Sequence, residues 1–373
     1  MHRFFFVFIL VVFFSGCISP ENNKRANNSN HYARGFNAEK TENITRLTVF
    51  NPWEKAGNVS VSYYLLDKTK PVPDSLAGKR IIKTPLERVI CLSTTHIGFL
   101  DVLDETAAVV GISGSQYVSN DNVRGRMKDG KAPDVGYGQN LNFELMVNQK
   151  PDAVLVYGIG SEVTNSIQKL EELGIPVILV AEYLEETPLG KAEWVKFFGA
   201  LFQKEKKAQE YFEEVEAEYQ RLKKIAGQAT KKPKVMVGSP YKDSWWIPGG
   251  NSYLANLIAD SGGDYLGKNN ASHESYVISF EHALAMANEA DVWINMSNLA
   301  SKKEILDTDE RFKNFAVFNN GKLFNNIKRL SEHGGNDFWE SGTVNPHLVL
   351  SDLIAIFHPG LVHHDLVYYH EIK

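Results

Sequence analysis

The sequence predicts an α/β fold of two lobes, each with a central mostly parallel sheet flanked by helices, joined by one long helix. Three observations predict it. Short apolar runs alternate with helical patterns from residue 85 onwards, as expected for a parallel sheet covered on both faces. The same alternation starts again at residue 234. Between the two halves, residues 189–227 form a long amphipathic stretch.

In that stretch, apolar residues recur at steps of three and four, which places them on one helix face. The spacing predicts a helix over residues 190–202 and a longer one over 205–226, ended by Gly227. At a 1.5 Å rise per residue, the second helix spans roughly 33 Å, about the width of a small domain. Such a helix could be a buried core element, a coiled-coil arm or a strut that joins two lobes; a strut would pack its apolar stripe against both lobes.

The amino terminus has the pattern of an export signal. Residues 4–14 are an uninterrupted apolar run, too short to cross a bilayer. The sequence Phe14-Ser15-Gly16-Cys17 then looks like a bacterial lipobox; the alternative is an ordinary signal peptide with an incidental cysteine. We expect a signal peptide over 1–16 and a flexible tether over 17–46, lipidated at Cys17. An exported, membrane-anchored protein on the periplasmic side follows.

The remaining segments follow in order. Residues 47–84 carry strand-like runs and prolines, which predict a small β extension and a linker. Residues 85–188 form the expected amino-terminal lobe, and residues 228–373 the carboxy-terminal lobe. Within the lobes, strands are expected at 88–92, 108–112, 153–157, 176–181, 234–237, 291–295 and 315–318.

A short repeat relates the two halves. Phe143-Glu144 and Phe280-Glu281 each lead into a helical pattern and then into a strand that begins with an aspartate, Asp152 or Asp291. The repeat favours two similar lobes with the long helix between them.

Composition and motifs argue for a binding protein. The formal net charge is −5 and no stripe of Lys and Arg offsets it, so nucleic acid is not an expected partner. With two cysteines there is no disulfide framework. No phosphate-binding loop, zinc-protease or nucleophile-elbow motif occurs, and no cofactor is expected. A secreted hydrolase or chelatase with His96 or His333 as base stays open, as does a binder of free metal ions.

Ligands of open α/β sheets bind at the carboxyl ends of the strands. The loops expected there carry aromatic side chains beside glycines and a few polar groups, which suit a planar or macrocyclic ligand. Arg329 could hold a ligand carboxylate or be solvated, and Trp246 and Trp339 could equally belong to the core. The candidates are Thr94, His96, Tyr137, Tyr157, Tyr183, Tyr241, Trp245, Trp246, Arg329, Phe338 and Trp339.

From about residue 86 to its end, the chain resembles the periplasmic binding proteins that feed ABC importers of ferric siderophores, haem and vitamin B12. The matching segments are residues 88–95, 133–137, 142–144, 150–155, 174–177, 245–250, 279–281 and 357–359.

The resemblance implies a lipid-anchored, monomeric binding component that captures an iron complex and delivers it to a permease with its ATPase. The ligand would be a ferric siderophore, or alternatively haem or a corrinoid. It also implies that the lobes close only slightly on the ligand, and that one outward glutamate on each lobe pairs with permease arginines. The matching positions are Glu144 and Glu281.

Overall fold

The described part of the chain contains four β-sheets. A computed structural model describes residues 30–158, 161–241 and 244–373, without the side chains of 161–163 and 241. The first sheet is amino-terminal and mixed, with neighbouring strands in the order β1-β2-β3-β4. Only the β3–β4 pair is parallel. Its strands are β1 (Phe36–Lys40), β2 (Thr45–Phe50), β3 (Ser60–Asp67) and β4 (Arg80–Thr84).

Strand β1 lies within the segment expected to be a tether, and that expectation is wrong from residue 30 onwards. Two buried carboxylates hold the backbone ahead of the strand. Glu193 accepts hydrogen bonds from the N–H groups of residues 31–33, and Glu185 accepts them from residues 34 and 35. Phe36 is fully buried against Trp194, with ring centroids 4.8 Å apart. The predicted signal peptide and Cys17 lie outside the described residues.

The amino-terminal lobe contains an all-parallel sheet in the order β6-β5-β7-β8. Its strands are apolar and buried because helices cover both faces of the sheet. In chain order the elements are β5 (Val89–Cys91), α1 (Thr95–Val102), β6 (Val109–Ile112), α2 (Asp121–Lys128), α3 (Phe143–Asn148), β7 (Ala153–Val156), α4 (Ser161–Glu172) and β8 (Val177–Leu179).

Three helices connect the lobes: α5 (Pro188–Glu193), α6 (Val195–Phe202) and α7 (Glu205–Ala226). The single helix expected over 190–202 is thus two helices that meet at Trp194, whereas α7 has the bounds that its apolar spacing predicts. Helices α6 and α7 pack closely because Gly199 has no side chain; a Cβ there would lie 2.6 Å from that of Ala208.

The carboxy-terminal lobe repeats the α/β scheme. Its main sheet runs β12-β9-β14-β15-β16, parallel except for the β15–β16 pair, and a small antiparallel sheet runs β10-β11-β13. The elements are β9 (Lys234–Val237), β10 (Pro240–Tyr241), β11 (Ser244–Ile247), α8 (Tyr253–Asp260), β12 (Asp264–Tyr265), β13 (Tyr276–Ile278), α9 (Phe280–Glu289), β14 (Val292–Ile294), α10 (Lys302–Thr308), α11 (Ala316–Asn320), β15 (Lys322–Asn325), α12 (Ser341–Val344), α13 (Pro346–Phe357) and β16 (His370–Glu371).

One strand prediction in this lobe is wrong. Residues 315–318 were expected to be a strand, but Ala316–Asn320 is a short helix and the strand follows it at Lys322–Asn325. Phe315, Val317 and Phe318 are all buried, so a short apolar run does not distinguish a buried helical turn from a buried strand.

Helix α7 contacts both lobes, as its apolar stripe predicts. Near its start, Lys207 pairs with Asp104 of the amino-terminal lobe. Near its end, the Tyr219 hydroxyl donates to Asp260 of α8 at 2.8 Å, and Lys223 pairs with the same carboxylate at 2.7 Å. The buried stripe also packs along α13. Within the described ranges, no helix is long and apolar enough to cross a membrane.

The two lobe sheets share one topology. In each, the first four strands in chain order, leaving out the small sheet, lie in the spatial order second, first, third, fourth. Glu144 lies in the first turn of α3 before the third strand of its sheet, and Glu281 lies in the first turn of α9 before the third strand of the other. Both glutamates are exposed and occupy equivalent places.

Candidate functional site

A cavity of about 580 Å³ lies between the lobes, where the carboxyl ends of both parallel sheets meet. Polar residues directly after the strands form its walls. Ser93 and Thr94 follow β5, Ser113 follows β6 and Tyr157 follows β7. From the other lobe, Gly238 and Ser239 follow β9, Asn295 follows β14 and Asn326 follows β15. We call this cavity the cleft.

The side chains that line the cleft, among the residues that the structure describes, carry no charge. Apart from apolar groups and glycines, the described lining consists of serines, one threonine, asparagines, three tyrosines and two tryptophans. Burial raises the pKa of Tyr157 to about 12, and the neighbouring Tyr137 hydroxyl adds to the shift. Tyr157 is therefore a neutral hydroxyl at physiological pH that can donate or accept a hydrogen bond.

Three tyrosines form an aromatic wall on the amino-terminal side. The rings of Tyr117 and Tyr137 meet edge to face with centroids 6.4 Å apart, and Tyr157 lies next to them. Tyr137 is 56% exposed and follows Gly136, whose φ is +89°. A Cβ at Gly136 would lie 2.0 Å from the Asn140 carbonyl oxygen, so this tight turn requires glycine.

The opposite wall is held by one buried amide. The Asn325 side chain accepts hydrogen bonds from the N–H groups of Met296 and Asn326, both at 3.0 Å. Its amide nitrogen donates to the carbonyl oxygens of residues 297 and 299. Asn295 and Ser297 have left-handed backbones, with φ of 57° and 52°. Such strain persists only where surrounding contacts impose it, so this wall is preorganised.

Two tryptophans stand at the rim of the cleft. Trp246 is 51% exposed and Trp339 is 45% exposed, and both line the cavity. Exposed indole rings beside a cleft supply apolar contact area together with an N–H donor.

The structure brings five of the sequence-predicted residues together in the cleft: Thr94, Tyr137, Tyr157, Trp246 and Trp339. Tyr183 lines an adjoining cavity instead, and its hydroxyl donates to the Gly158 carbonyl oxygen. The side chain of Tyr241 lies outside the described residues. Sequence reasoning missed Ser113, Tyr117, Asn295 and Asn326, although three of these follow strand ends as the predicted residues do.

His96 does not reach the cleft. Its side chain is fully buried beside Phe198, and neither ring nitrogen has a hydrogen-bond partner among the described residues. Burial lowers the pKa of His96 to about 3. The residue lies on the inner face of α1 and packs in the core, so neither a ligand contact nor a catalytic base can be assigned to it.

Three further candidates do not line the cleft either. Trp245 is 3% exposed and stacks against Trp293 and Phe315 in the core of the carboxy-terminal lobe. Phe338 is 2% exposed and packs edge-on against Trp339 and two buried tyrosines. Arg329 pairs with Asp337 at 3.0 Å and does not line the cleft.

The described histidines do not cluster with other metal-ligating side chains. Throughout the described ranges, no three His, Cys, Asp or Glu side chains come together in a group that could hold a metal ion. His364 instead bonds Asp352 at 2.6 Å, and His358 bonds the Ser261 carbonyl oxygen at 3.1 Å.

Several known proteins are similar over most of the chain. Two proteins of Methanocaldococcus jannaschii named as uncharacterized lipoproteins align with it. The first is 29% identical over 92% of this chain and 89% of its own length. The second is 26% identical over the full length of both.

Solved structures share the fold. An ABC transporter substrate-binding protein from Listeria monocytogenes has a TM-score of 0.53 at 17% identity, over 73% of this chain and 98% of its own. A periplasmic heme binding protein from Pseudomonas aeruginosa has a TM-score of 0.57 at 15% identity, over 77% and 98%. The S. aureus IsdE structure with heme has a TM-score of 0.51 at 20% identity, over 73% and 98%.

The two-lobe fold of this chain is thus shared with these solved structures. The family model described as Periplasmic binding protein matches residues 89–325, which is well over half of the sequence. The chain therefore belongs to the periplasmic binding protein family, the substrate-binding components of ABC importers.

Proposed function

We propose that the protein is the lipid-anchored binding component of an ABC importer and captures a metal chelate of low net charge, foremost a ferric siderophore. The observation that carries this proposal is the uncharged lining of the cleft. A ferric ion held by three hydroxamates is neutral overall, so such a chelate needs hydrogen-bond partners and aromatic contact but no counter-ions. The serine, asparagine, tyrosine and tryptophan side chains supply both.

The same observation disfavours chelates that bring negative charge into the cleft. A ferric tris-catecholate carries three negative charges, and haem carries two propionates. Burying unpaired carboxylates or catecholates without cations is costly. No Lys, Arg or His lines this cavity within the described part of the chain.

A corrinoid is the second candidate ligand. A corrin ring carries neutral amide side chains on its periphery, which match the amides and hydroxyls of the cleft walls. The adjoining cavity of about 640 Å³ also favours a ligand that extends beyond one compartment.

Titration of the purified protein with four chelates tests the proposal. We expect ferrichrome or cyanocobalamin to quench the tryptophan fluorescence with saturation, because Trp246 and Trp339 stand at the rim. Calorimetry on the same pairs excludes quenching by light absorption alone. Tight binding of ferric enterobactin or haem, with no response to either neutral chelate, would contradict the proposal.

The lipid anchor and the docking role belong to the same proposal. Cys17 is the candidate acylated residue, and two relatives are named as lipoproteins. Cys17→Ser should release the protein from the membrane fraction; retention of the variant there would refute lipidation at Cys17. Glu144 and Glu281 are exposed at equivalent places on the two lobes, which suits a permease with two matching basic sites.

A further inference from the structure

A second cavity adjoins the cleft. It measures about 640 Å³ and shares Pro248, Leu254, Ser275 and Trp339 with the cleft lining, so the two spaces are neighbours around the same side chains. Its outer wall is the connection between β2 and β3, including Trp53, Glu54 and Lys55. The family match begins at residue 89, so the amino-terminal sheet adds this wall to the family fold.

The connection that forms the wall is fixed against the amino-terminal lobe. Trp53 pairs with Gly158 in an isolated parallel bridge. A Cβ at Gly158 would lie 3.0 Å from the Pro52 carbonyl oxygen and from the Trp53 Cβ, so the two segments are in close contact. The base of the connection is closed by Asn51, whose N–H donates to the Val59 carbonyl oxygen at 2.7 Å. A wall fixed in this way can act as a preformed binding surface.

Unlike the cleft, the second cavity is lined by charged side chains. At its exposed rim, Glu54 and Glu274 are offset by Arg34 and Lys55. The Glu185 carboxylate is satisfied by the N–H groups of residues 34 and 35 and by the indole N–H of Trp194. Glu186 faces His273 at 3.7 Å. The remaining charged group of the lining is the half-buried Lys191 of α5.

The side chain of Lys191 contacts an aromatic ring of helix α8. Its Nζ lies 4.5 Å above the centre of the Tyr253 ring. Among the described residues, no carboxylate lies within ion-pairing distance of Nζ. Burial lowers the pKa of Lys191, whereas attraction to Glu182 and Glu185 acts in the opposite direction. A half-buried ammonium that lines a cavity, with no described carboxylate within ion-pairing distance, is suited to bind an anion.

We propose that the second cavity is a subsite of the ligand-binding cleft, that it accepts an anionic arm of the captured chelate, and that Lys191 binds this arm. The inference rests on the proposed function and deepens it. The neutral core of the chelate occupies the uncharged cleft, and a carboxylate or phosphate arm extends past Leu254 and Trp339 to the Nζ of Lys191.

Three derivatives of one chelate, which differ in the charge of the pendant arm, test the inference. Ferric desferrioxamine B has a neutral iron centre and a free ammonium arm; N-acetylation makes the arm neutral and N-succinylation makes it a carboxylate. We expect the wild-type protein to bind the succinyl chelate about tenfold more tightly than the acetyl chelate, as one hydrogen bond between charged groups allows. The ammonium form should bind most weakly. Calorimetry gives the three dissociation constants.

Two substitutions assign the preference to Lys191. Lys191→Met should make the affinities for the acetyl and succinyl chelates equal, because the charge that distinguishes the two arms is gone. Lys191→Arg keeps the positive charge and should keep the preference, and thermal melts of both variants verify folding. Cyanocobalamin and dicyanocobinamide, which differ by a phosphate-bearing arm, repeat the comparison for a corrinoid.

The outcomes separate the subsite from the function. If no ferrioxamine and neither corrinoid binds, the proposed function fails and the subsite fails with it. Equal wild-type affinity for the succinyl and acetyl chelates, with equal affinity for the two corrinoids, would overturn the subsite alone. The subsite alone is also overturned if Lys191→Met weakens the binding of every chelate by the same factor.

Discussion

At the scale of single residues, two adjacent tryptophans have different roles because successive side chains of a strand point to opposite faces. On β11, Trp245 is 3% exposed and stacks in the core, whereas Trp246 is 51% exposed and lines the cleft. Trp246→Ala should weaken chelate binding at least tenfold with an unchanged melting temperature. Trp245→Ala should lower the unfolding free energy by about 3–5 kcal/mol, as for other buried tryptophans.

Denaturant unfolding and ligand titration of both variants test this contrast. The neighbouring Val277→Ala is a suitable control, because Val277 pairs with Trp246 across the small sheet and is itself 49% exposed. A stability loss for Trp246→Ala as large as that for Trp245→Ala would contradict the assignment of the two faces.

We expect His96 to make the stability of the protein sensitive to acid. Its pKa falls from 6.5 to about 3 on folding because its ring is buried without a partner. The unfolded chain therefore binds a proton below pH 6.5 that the folded chain excludes until pH 3. Stability is fully present above the unfolded pKa and is lost as the pH falls towards the folded one. At pH 5 the loss is about 2 kcal/mol, at 1.36 kcal/mol per pH unit.

His96→Leu should remove this share of the pH dependence. It deletes the proton site and two unpaired nitrogens, so the variant should be at least as stable as wild type at pH 7. Urea unfolding at pH 7 and pH 5 measures both. Desolvation also lowers the pKa of the half-buried His347, which leaves a residual pH dependence of stability in both proteins. If the variant loses as much stability as wild type between these pH values, the buried neutral imidazole is not the cause.

The residues of the cleft could be predicted only in part. Thr94, Tyr137 and Tyr157 could be predicted because they lie in loops after strands, and the loops at the carboxyl ends of parallel strands meet at one edge of the sheet. The direction of a side chain within a loop or helix turn could not be predicted from the sequence, so His96, the second residue of α1, was expected in the cleft although it packs in the core. Asn326 was missed because the strand before it had been expected seven residues too early.

At the scale of elements, the amino-terminal strand β1 is part of the core. Phe36 is fully buried between Trp194 and Phe197, with centroids 4.8 and 5.5 Å away. Phe36→Ala should lower the unfolding free energy by about 3–5 kcal/mol through the cavity it leaves. Lys40→Ala, at the exposed end of the same strand, should change it by less than about 0.5 kcal/mol.

Urea unfolding of the two variants measures the difference. Comparable small effects at both positions would mean that β1 is not anchored in the core. The sequence conceals this strand, because polar and asparagine-rich residues surround Phe36. The holding groups, Glu185 and Glu193, lie some 150 residues away along the chain, as the separations of 150 and 160 in their hydrogen bonds show. Helix α7, by contrast, could be predicted with its bounds from the spacing of its own apolar residues.

At the scale of the whole molecule, the lobes are joined by more than α7. The Glu340 carboxylate, from the carboxy-terminal lobe, accepts hydrogen bonds from the N–H groups of Ser119 and Asn120 at 2.9 and 2.7 Å. Gly335 is held so close to Tyr117 that a Cβ would lie 2.3 Å from its carbonyl oxygen. These contacts and the strut-like α7 oppose a wide hinge motion. The lobes therefore keep a nearly fixed separation, and so do Glu144 and Glu281.

We propose that this fixed separation allows the two glutamates to bind the permease together. Each lies in the first turn of an equivalent helix, exposed and without a structural role in the core. Hydrogen bonds from its own helix start and from Ser279 lower the pKa of Glu281, so this carboxylate is ionised at neutral pH. A charged pair held at one spacing can bind two arginines at once, which raises affinity through effective concentration.

The double variant Glu144→Ala, Glu281→Ala should therefore keep the chelate dissociation constant of wild type but lose most uptake by the reconstituted importer. Each single variant should lose less, because one contact remains. The matched control is Glu210→Ala, Glu214→Ala on the exposed side of α7, which removes the same charge far from either helix start. Uptake by the double variant equal to that of the control would exclude both glutamates from docking, whatever the chelate proves to be.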